Sequence, residues 1–165
     1  LIARGPNVML GYYENEKETA EVLKDGWLHT GDLARLDNDG YIYICGRKKN
    51  VIVLKNGKNV YPEELETLIA NLPYVEDSMV FGEPKRDDDE KDLALCAKIV
   101  YNKDMMKDIY GLENPAEIQA VIKKDIDAIN EELPVYKQML RLRVTDEPMI
   151  KTTTGKVKRY EEIKR

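Results

Sequence analysis

The chain has 165 residues, of which 26 are Lys or Arg, 31 are Asp or Glu and one is His, so its net charge is -5. This acidic balance is unsuited to broad contact with a phosphate backbone and excludes nucleic acid as a general partner. No apolar run approaches the roughly 20 residues that a membrane-spanning helix needs, and no charged-then-apolar leader opens the sequence. We therefore predict a cytoplasmic protein without a transmembrane segment.

The two cysteines predict structural thiols rather than a redox or metal site. Cys45 and Cys96 lie far apart in apolar stretches, and neither belongs to a CxxC pair or a His cluster. We expect both to be reduced and buried in the core. The polar run at 85–91 carries several carboxylates, but nothing in the sequence orders them around an ion. It predicts a solvated loop, and we expect no metal site in this chain.

A short helix is predicted near the start of the chain, over residues 15–24. Asn15 and Glu18 have the spacing of a capping box, in which each side chain satisfies a free amide of the first turn. Ala20 and Leu23 are then expected to face inward. Because the chain opens on Leu rather than Met, we expect it to be part of a longer protein.

A β-hairpin is predicted next. Apolar runs at 33–36 and 41–45 flank a polar loop that ends at Gly40, where a positive φ is expected. A basic patch at 47–50 then interrupts the apolar pattern. This patch marks a candidate domain boundary.

The remaining sequence alternates strand and helix patterns. The predicted strands are 51–54, 75–81, 93–101 and 140–144, and the predicted helices are 62–71, 114–133 and 160–164. The clearest signal belongs to the helix that starts at Asn114, because Pro115 and Glu117 complete a helix start and apolar residues then recur at helical spacing. The pattern predicts an α+β fold with a central β-sheet flanked by helices.

Three short polar stretches adjoin apolar strands, where a rigid scaffold can aim them at a ligand. They are 30–32, 46–49 and 151–156. In the first, Asp32 follows a Gly at a strand entrance, where a carboxylate can accept hydrogen bonds from the vicinal hydroxyls of a ribose. Taken alone, an Asp after Gly is more often a turn residue. The basic stretch taken alone is equally well explained as a solvated strand end.

The third stretch, Lys-Thr-Thr-Thr-Gly-Lys at 151–156, resembles the end of a phosphate-binding P-loop. The match fails, because Ile150 stands where the first Gly would be and Val157 replaces the Ser or Thr that follows the Lys. Lys156 can still reach a phosphate or carboxylate as a compact charge. A mobile surface lysine is the simpler interpretation of this stretch by itself.

Taken together and in this order, four segments closely resemble the C-terminal signatures of the adenylate-forming enzymes. This superfamily contains acyl-CoA synthetases, peptide-synthetase adenylation domains and luciferases. The segments are 26–32, 39–49, 56–66 and 151–156. The sequence around the hinge is most similar to bacterial long-chain fatty-acid–CoA ligases, and the resemblance spans almost the whole chain.

The resemblance implies a nucleotide-binding role for three residues. Asp32 matches the aspartate that binds both ribose hydroxyls of ATP. Arg47 matches an arginine that also approaches the ribose, and Ile44 matches an apolar position packed against the nucleoside. His29, the single histidine, invites a general-base interpretation, but a wedged strand residue is the simpler one.

The resemblance also implies a moving domain. Lys49 matches the hinge position, Gly57 matches a glycine beside the passage for CoA, and Lys156 matches the lysine that bridges the carboxylate and the α-phosphate. One departure concerns the loop of Lys156: relatives often have Pro directly before its first Lys, whereas here Ile150 holds that place and the Pro is at 148.

The resemblance implies that residues 1–47 are the edge of a large N-terminal domain and that 48–165 form a mobile C-terminal lid. The whole enzyme would activate a fatty acid with ATP and Mg and pass it to CoA. The Mg site and acyl pocket would lie in the N-terminal domain, so we expect the fragment alone to be inactive. Peripheral contact with a membrane is left open. The alternatives are a stand-alone binding or regulatory module of the same fold and a peptide-synthetase adenylation domain.

Overall fold

The structure, a computed structural model, describes residues 1–164. The chain divides into two compact units, the first spanning Leu1–Val51 and the second beginning at Ile52. The end of the first unit falls just after the basic patch at 47–50. Each unit is described by itself.

The first unit contains one short helix and two small antiparallel sheets. Its elements are β1 (Ile2–Ala3), α1 (Glu16–Val22), β2 (Leu23–Lys24), β3 (Trp27–His29), β4 (Asp32–Leu36) and β5 (Ile42–Arg47). Strand β3 pairs with both β1 and β2, and β4 pairs with β5. The β4–β5 pairing confirms the predicted hairpin.

Helix α1 begins as predicted but ends early. The Asn15 side chain accepts a hydrogen bond from the Glu18 amide at 3.1 Å. Leu23 and Lys24 belong to β2 instead of the helix, because the next two residues both have positive φ and close a tight Asp-Gly turn into β3. The expectation that Ala20 faces inward is wrong, since Ala20 is exposed, while Leu23 is half-buried.

The second unit is built around a three-stranded sheet. Its elements are β6 (Ile52–Val53), β7 (Asn59–Val60), α2 (Pro62–Ala70), β8 (Val75–Arg86), β9 (Asp89–Tyr101), α3 (Lys103–Tyr110), α4 (Pro115–Glu131), β10 (Met139–Thr145) and α5 (Arg159–Ile163). The order in the sheet is β10-β9-β8, with β8 antiparallel and β10 parallel to β9. Strands β6 and β7 form a separate small hairpin. The predicted α+β fold is confirmed.

The central sheet is covered on both faces, and alternate residues of β9 belong to two different apolar clusters. Its odd-numbered residues from Leu95 to Tyr101 join the larger apolar cluster, which helices α2, α3 and α4 complete. Its residues Cys96 and Val100 join a smaller cluster that includes Met149. Successive side chains of a strand point to opposite faces, so Lys98 lies on the face of the smaller cluster. That face is covered by the segment around the predicted loop at 151–156.

The expected loop at 85–91 is largely strand. Strands β8 and β9 continue until only Asp87 and Asp88 lie between them. One charge of this run pairs across the hairpin, with Lys85 Nζ at 3.0 Å from Asp92 Oδ1. Opposite charges on facing strands stabilise a hairpin that propensity alone would not predict.

The two cysteines differ in burial. Cys96 is fully buried, and this burial raises the pKa of its thiol to about 11. Cys45 is only half-buried, so the expectation of a core thiol is wrong at that position. Within residues 1–164, no helix combines the length and the apolar character needed to cross a bilayer.

Candidate functional site

The β4–β5 hairpin brings Asp32 and Arg47 together as cross-strand partners. Arg47 Nη1 donates hydrogen bonds to Asp32 Oδ1 at 2.6 Å and to the Thr30 carbonyl at 3.2 Å. The Thr30 hydroxyl accepts a hydrogen bond from the Asp32 amide at 3.0 Å, which fixes the strand entrance. The hydrogen bond from the Arg47 guanidinium lowers the pKa of Asp32 below its usual value. Asp32 is therefore an oriented, ionised acceptor at neutral pH.

A β-bulge places Ile44 beside this pair. Ala34 pairs with Ile44 while its neighbour Leu33 pairs with Gly46, so the register shifts at this point. In a regular strand, Ile44 and Arg47 would point to opposite faces, because they are three residues apart. The extra residue puts both on the face that carries Asp32 and Ala34. Ile44 is 67% exposed, so this face offers an apolar surface next to a carboxylate.

The other predicted residues of the first unit are exposed. Lys49 is in a 3-10 turn, Lys48–Asn50, whose first amide donates to the Gly31 carbonyl at 2.8 Å. It lies two residues before the end of the unit at Val51. His29 ends β3 and is exposed rather than wedged among neighbours.

Gly57 lies in the tight turn between β6 and β7. Its φ of 77° is in the left-handed region that favours glycine, and its amide donates to the Leu54 carbonyl at 2.8 Å. A Cβ at Gly57 would meet no heavy atom of residues 1–164 within 4 Å. The turn is held by an ion pair between Lys55 Nζ and Asp89 Oδ2 at 2.7 Å. The open side of this turn leaves room for a ligand to approach the backbone.

The loop at 151–156 is itself a small hairpin. Lys151 and Val157 form an antiparallel bridge, and the Thr152 amide donates to the Lys156 carbonyl at 2.8 Å. Gly155 has a φ of 78°, which turns the chain, and its amide donates to the Thr152 carbonyl at 3.0 Å. The Lys156 backbone is therefore fixed at the end of an ordered turn.

The three lysines around this hairpin differ in their partners. Lys151 Nζ pairs with Asp77 Oδ2 at 2.6 Å, and Lys158 Nζ pairs with Glu161 Oε1 at 3.0 Å. Lys156 is exposed, and its amino group has no ion-pair partner among residues 1–164. An exposed ammonium on a fixed backbone can reach an anion without breaking an existing pair.

Two features near the hairpin were not predicted from the sequence. Lys98 and Glu162 form a buried ion pair, and Glu162 also accepts a hydrogen bond from the Ile150 amide at 2.9 Å. Lys98 and Glu162 are 64 residues apart, and no local pattern in the sequence links them.

In the described part of the chain, no three His, Cys, Asp or Glu side chains are grouped so that they could hold a metal ion.

The chain is similar to known proteins in sequence and in fold. A sequence model of the family described as AMP-binding enzyme C-terminal domain matches residues 49–165. The match covers most of the sequence, and the chain belongs to this family. The predicted resemblance to the adenylate-forming enzymes is confirmed.

Curated relatives include CoA ligases of different acids. The chain is 42% identical over 121 residues to a medium/long-chain-fatty-acid–CoA ligase, FadD8, of Mycobacterium tuberculosis, covering 73% of this chain and 20% of that protein. It is 45% identical over 84 residues to a feruloyl-CoA synthase of an Amycolatopsis species, covering 51% of this chain and 17% of that protein. The chain thus spans about a fifth or less of the length of these relatives.

Solved structures agree on the fold. The O-succinylbenzoate coenzyme A synthetase of Bacillus subtilis, solved in complex with ATP and magnesium ion, matches 98% of this chain with a TM-score of 0.72 and 28% identity. The chain covers 30% of that protein.

Proposed function

We propose that the chain is the C-terminal portion of an AMP-forming acyl-CoA synthetase that activates a fatty acid with ATP and transfers the acyl group to CoA. Residues 1–47 would be the edge of the N-terminal adenylation domain, and 48–165 the mobile lid. The observation that carries the proposal is Lys156, an exposed ammonium that pairs with no carboxylate of residues 1–164, on an ordered hairpin in a chain of this family.

The nucleotide is proposed to bind the β4–β5 hairpin. Asp32 would accept hydrogen bonds from both ribose hydroxyls, since the hydrogen bond from Arg47 orients its carboxylate. Arg47 would approach the ribose from the same side. Ile44 would pack against the nucleoside on the face that the bulge creates. The Mg ion that accompanies ATP would be held by the N-terminal domain.

Lys156 would act in the first half-reaction. The substrate carboxylate attacks the α-phosphate, an acyl-adenylate forms, and pyrophosphate leaves. No proton has to be moved, so the requirement is positive charge near the carboxylate and the α-phosphate oxygens as negative charge gathers there. An ammonium at the end of a fixed turn meets that requirement.

The second half-reaction needs a different arrangement. The CoA thiol loses its proton to solvent and attacks the acyl carbon, a thioester forms, and AMP leaves with the electron pair of the broken acyl–oxygen bond. A lysine lying between the carboxylate and the phosphate would obstruct the thiol, so the lid would turn about Lys49 and bring the Gly57 turn to the pantetheine arm. Within the described part of the chain, no atom lies within 4 Å of a Cβ built at Gly57, which is consistent with a passage there.

A fatty acid is the favoured substrate because the FadD8 ligase matches the larger share of this chain. The 45% identity to a feruloyl-CoA synthase favours an aromatic acid as the second candidate. The acid itself would be recognised by the N-terminal domain.

A substrate panel tests this proposal. The purified full-length protein is incubated with ATP, Mg and CoA and with palmitate, ferulate or an amino acid, and AMP and acyl-CoA are measured. We expect palmitoyl-CoA and AMP with palmitate, and no acyl-adenylate from residues 1–165 alone. Product with ferulate only would move the proposal to aromatic acids. Adenylation of an amino acid without CoA transfer would favour the peptide-synthetase alternative, and no ATP cleavage would favour a binding module.

A further inference from the structure

We propose that the buried pair of Lys98 and Glu162 is a positioning device for Lys156, acting through the Ile150 amide. The inference rests on the proposed function of Lys156, and it assigns to two residues outside the hairpin a part in the first half-reaction. Neither residue touches the substrates. They determine the position of the hairpin at 151–156 that carries Lys156.

Glu162 uses both carboxylate oxygens. Oε1 accepts from Lys98 Nζ of β9, and Oε2 accepts from the Ile150 amide at 2.9 Å. The Glu162 side chain is 1% exposed and the Lys98 side chain 10% exposed. Ile150 is the residue at which the hairpin begins, since its carbonyl accepts the Lys158 amide at 2.8 Å. The pair therefore holds the base of the hairpin against the central sheet.

An apolar pair could fill the same space but could not hold Ile150. Burying two charges costs free energy, and apolar residues of similar volume often replace a buried ion pair without loss of stability. An apolar side chain cannot accept a hydrogen bond, and the Ile150 amide would then be left without this partner. The hydrogen bond to Ile150 is thus what this polar pair provides beyond packing.

The remaining anchors of the hairpin act at other points. Met149 and Val157 pack on the smaller apolar cluster, and Lys151 pairs with Asp77 of β8. Arg159 donates to Glu66 Oε1 of α2 at 2.7 Å and fixes the start of α5. None of these contacts depends on the Ile150 hydrogen bond. Loss of that bond should therefore displace the hairpin without unfolding the unit.

Two double variants of nearly equal volume isolate the hydrogen bond. In Lys98→Gln with Glu162→Gln, the side-chain amide introduced at position 162 can donate a hydrogen bond to the one at position 98. Its oxygen can still accept a hydrogen bond from the Ile150 backbone amide. In Lys98→Met with Glu162→Met, the pair is equally neutral but offers no acceptor. A Tyr74→Phe control removes a different hydrogen bond, to Asp125 Oδ2 at 2.7 Å, beside the larger cluster.

Both half-reactions are measured in the full-length enzyme. We expect the Met pair to slow adenylation by about 10- to 100-fold, the scale of a small misplacement of a reacting group. Transfer from supplied acyl-adenylate should stay near the wild-type rate. The Gln pair should restore most of the adenylation, and Tyr74→Phe should leave the ratio of the two half-reactions unchanged.

Hydrogen exchange gives a readout that is independent of activity. The Ile150 amide should exchange about 5- to 10-fold faster in the Met pair than in the Gln pair, as expected for one lost hydrogen bond. If the Met pair does not fold, slow exchange of Ile150 in the wild-type protein still supports the anchor.

The inference is overturned if Ile150 exchanges rapidly in the wild type, if the Gln pair is as impaired as the Met pair, or if both half-reactions fall together. If the full-length protein activates no carboxylate, the proposed function fails. The exchange of Ile150 then decides alone whether the pair holds the hairpin.

Discussion

At the scale of single residues, the two proposed ligand-binding residues Asp32 and Lys156 differ in whether their charge is paired within the chain. The Asp32 carboxylate is oriented by the Arg47 guanidinium at 2.6 Å. Lys156 has no ion-pair partner among the described residues, although Lys151 and Lys158 beside it do. In the proposed function, a fixed carboxylate at Asp32 would help to orient the neutral ribose. An ammonium at Lys156 that is not already paired with a carboxylate would be available to bind an anion.

The pKa of Asp32 tests the first of these arrangements. Because Arg47 favours the ionised carboxylate, Arg47→Met should raise the pKa of Asp32 toward its usual value of 3.8. The contribution of the pair to stability is present above the unfolded pKa and is lost as the pH falls through the lower folded pKa. A carboxyl-carbon NMR titration measures this shift. Arg35→Met, which removes a contact with Tyr43 on the same hairpin, is the control and should leave the pKa of Asp32 unchanged.

Gly57 tests the CoA passage. Gly57→Leu should slow transfer to CoA by about 10- to 100-fold in the full-length enzyme while adenylation continues, because the side chain would occupy the space beside the turn. Gly57→Ala is the matched control, since it imposes the same penalty at a φ of 77° with little added volume. Equal effects of Ala and Leu on transfer would mean that backbone strain, and no passage, explains the glycine.

At the scale of elements, the sequence predicts the helices and strands in which capping residues and the spacing of apolar residues indicate the same structure. Helix α4 has a cap, a first-turn Pro and an apolar stripe, and it forms as predicted. Helix α3 was not predicted: four of its eight residues are Lys or Asp, although Asn102 at its start and Gly111 at its end were usable signals. Both residues cap the helix in the structure.

Other elements depend on contacts that a linear pattern does not contain. The bulge beside Ile44 appears only when β4 and β5 are paired, and it decides which face the nucleoside position takes. The parallel pairing of β10 with β9 depends on two intervening helices. The pair of Lys98 and Glu162 joins β9 to α5, and these two residues are 64 positions apart in the sequence. The residues of the candidate site were predicted by resemblance, whereas the bulge beside Ile44 and the buried ion pair below the hairpin were not.

The cap of α4 provides a stability test at this scale. The Asn114 side chain accepts a hydrogen bond from the Ala116 amide at 2.9 Å. Asn114→Ala should therefore lower the free energy of unfolding of the chain by about 1 kcal/mol. Asn114→Asp keeps an acceptor and should lose much less. Denaturant unfolding compares the variants, and an equal loss in both would assign the effect to something other than the cap.

Across the whole chain, the proposed turn of the lid requires the backbone dihedral angles of Lys49 to change. Lys49→Pro should restrict this motion, because Pro fixes φ near −65°. We expect the full-length variant to adenylate the fatty acid and to transfer it poorly. Lys49→Ala removes the charge but leaves φ free, so it should retain both half-reactions. A Pro variant that loses adenylation but keeps transfer would place the hinge elsewhere or reverse the favoured arrangement.

Lys156 is proposed to serve one half-reaction only, and separate assays of the two half-reactions in the full-length enzyme would reveal this. Lys156→Ala should slow adenylation by roughly 10²- to 10³-fold, the loss typical of one transition-state charge stabiliser. Transfer from supplied acyl-adenylate to CoA should be largely unchanged. Lys158→Ala, which removes a neighbouring lysine paired with Glu161, should leave both rates near wild type. Equal losses of adenylation and transfer in Lys156→Ala would contradict the role assigned to this lysine.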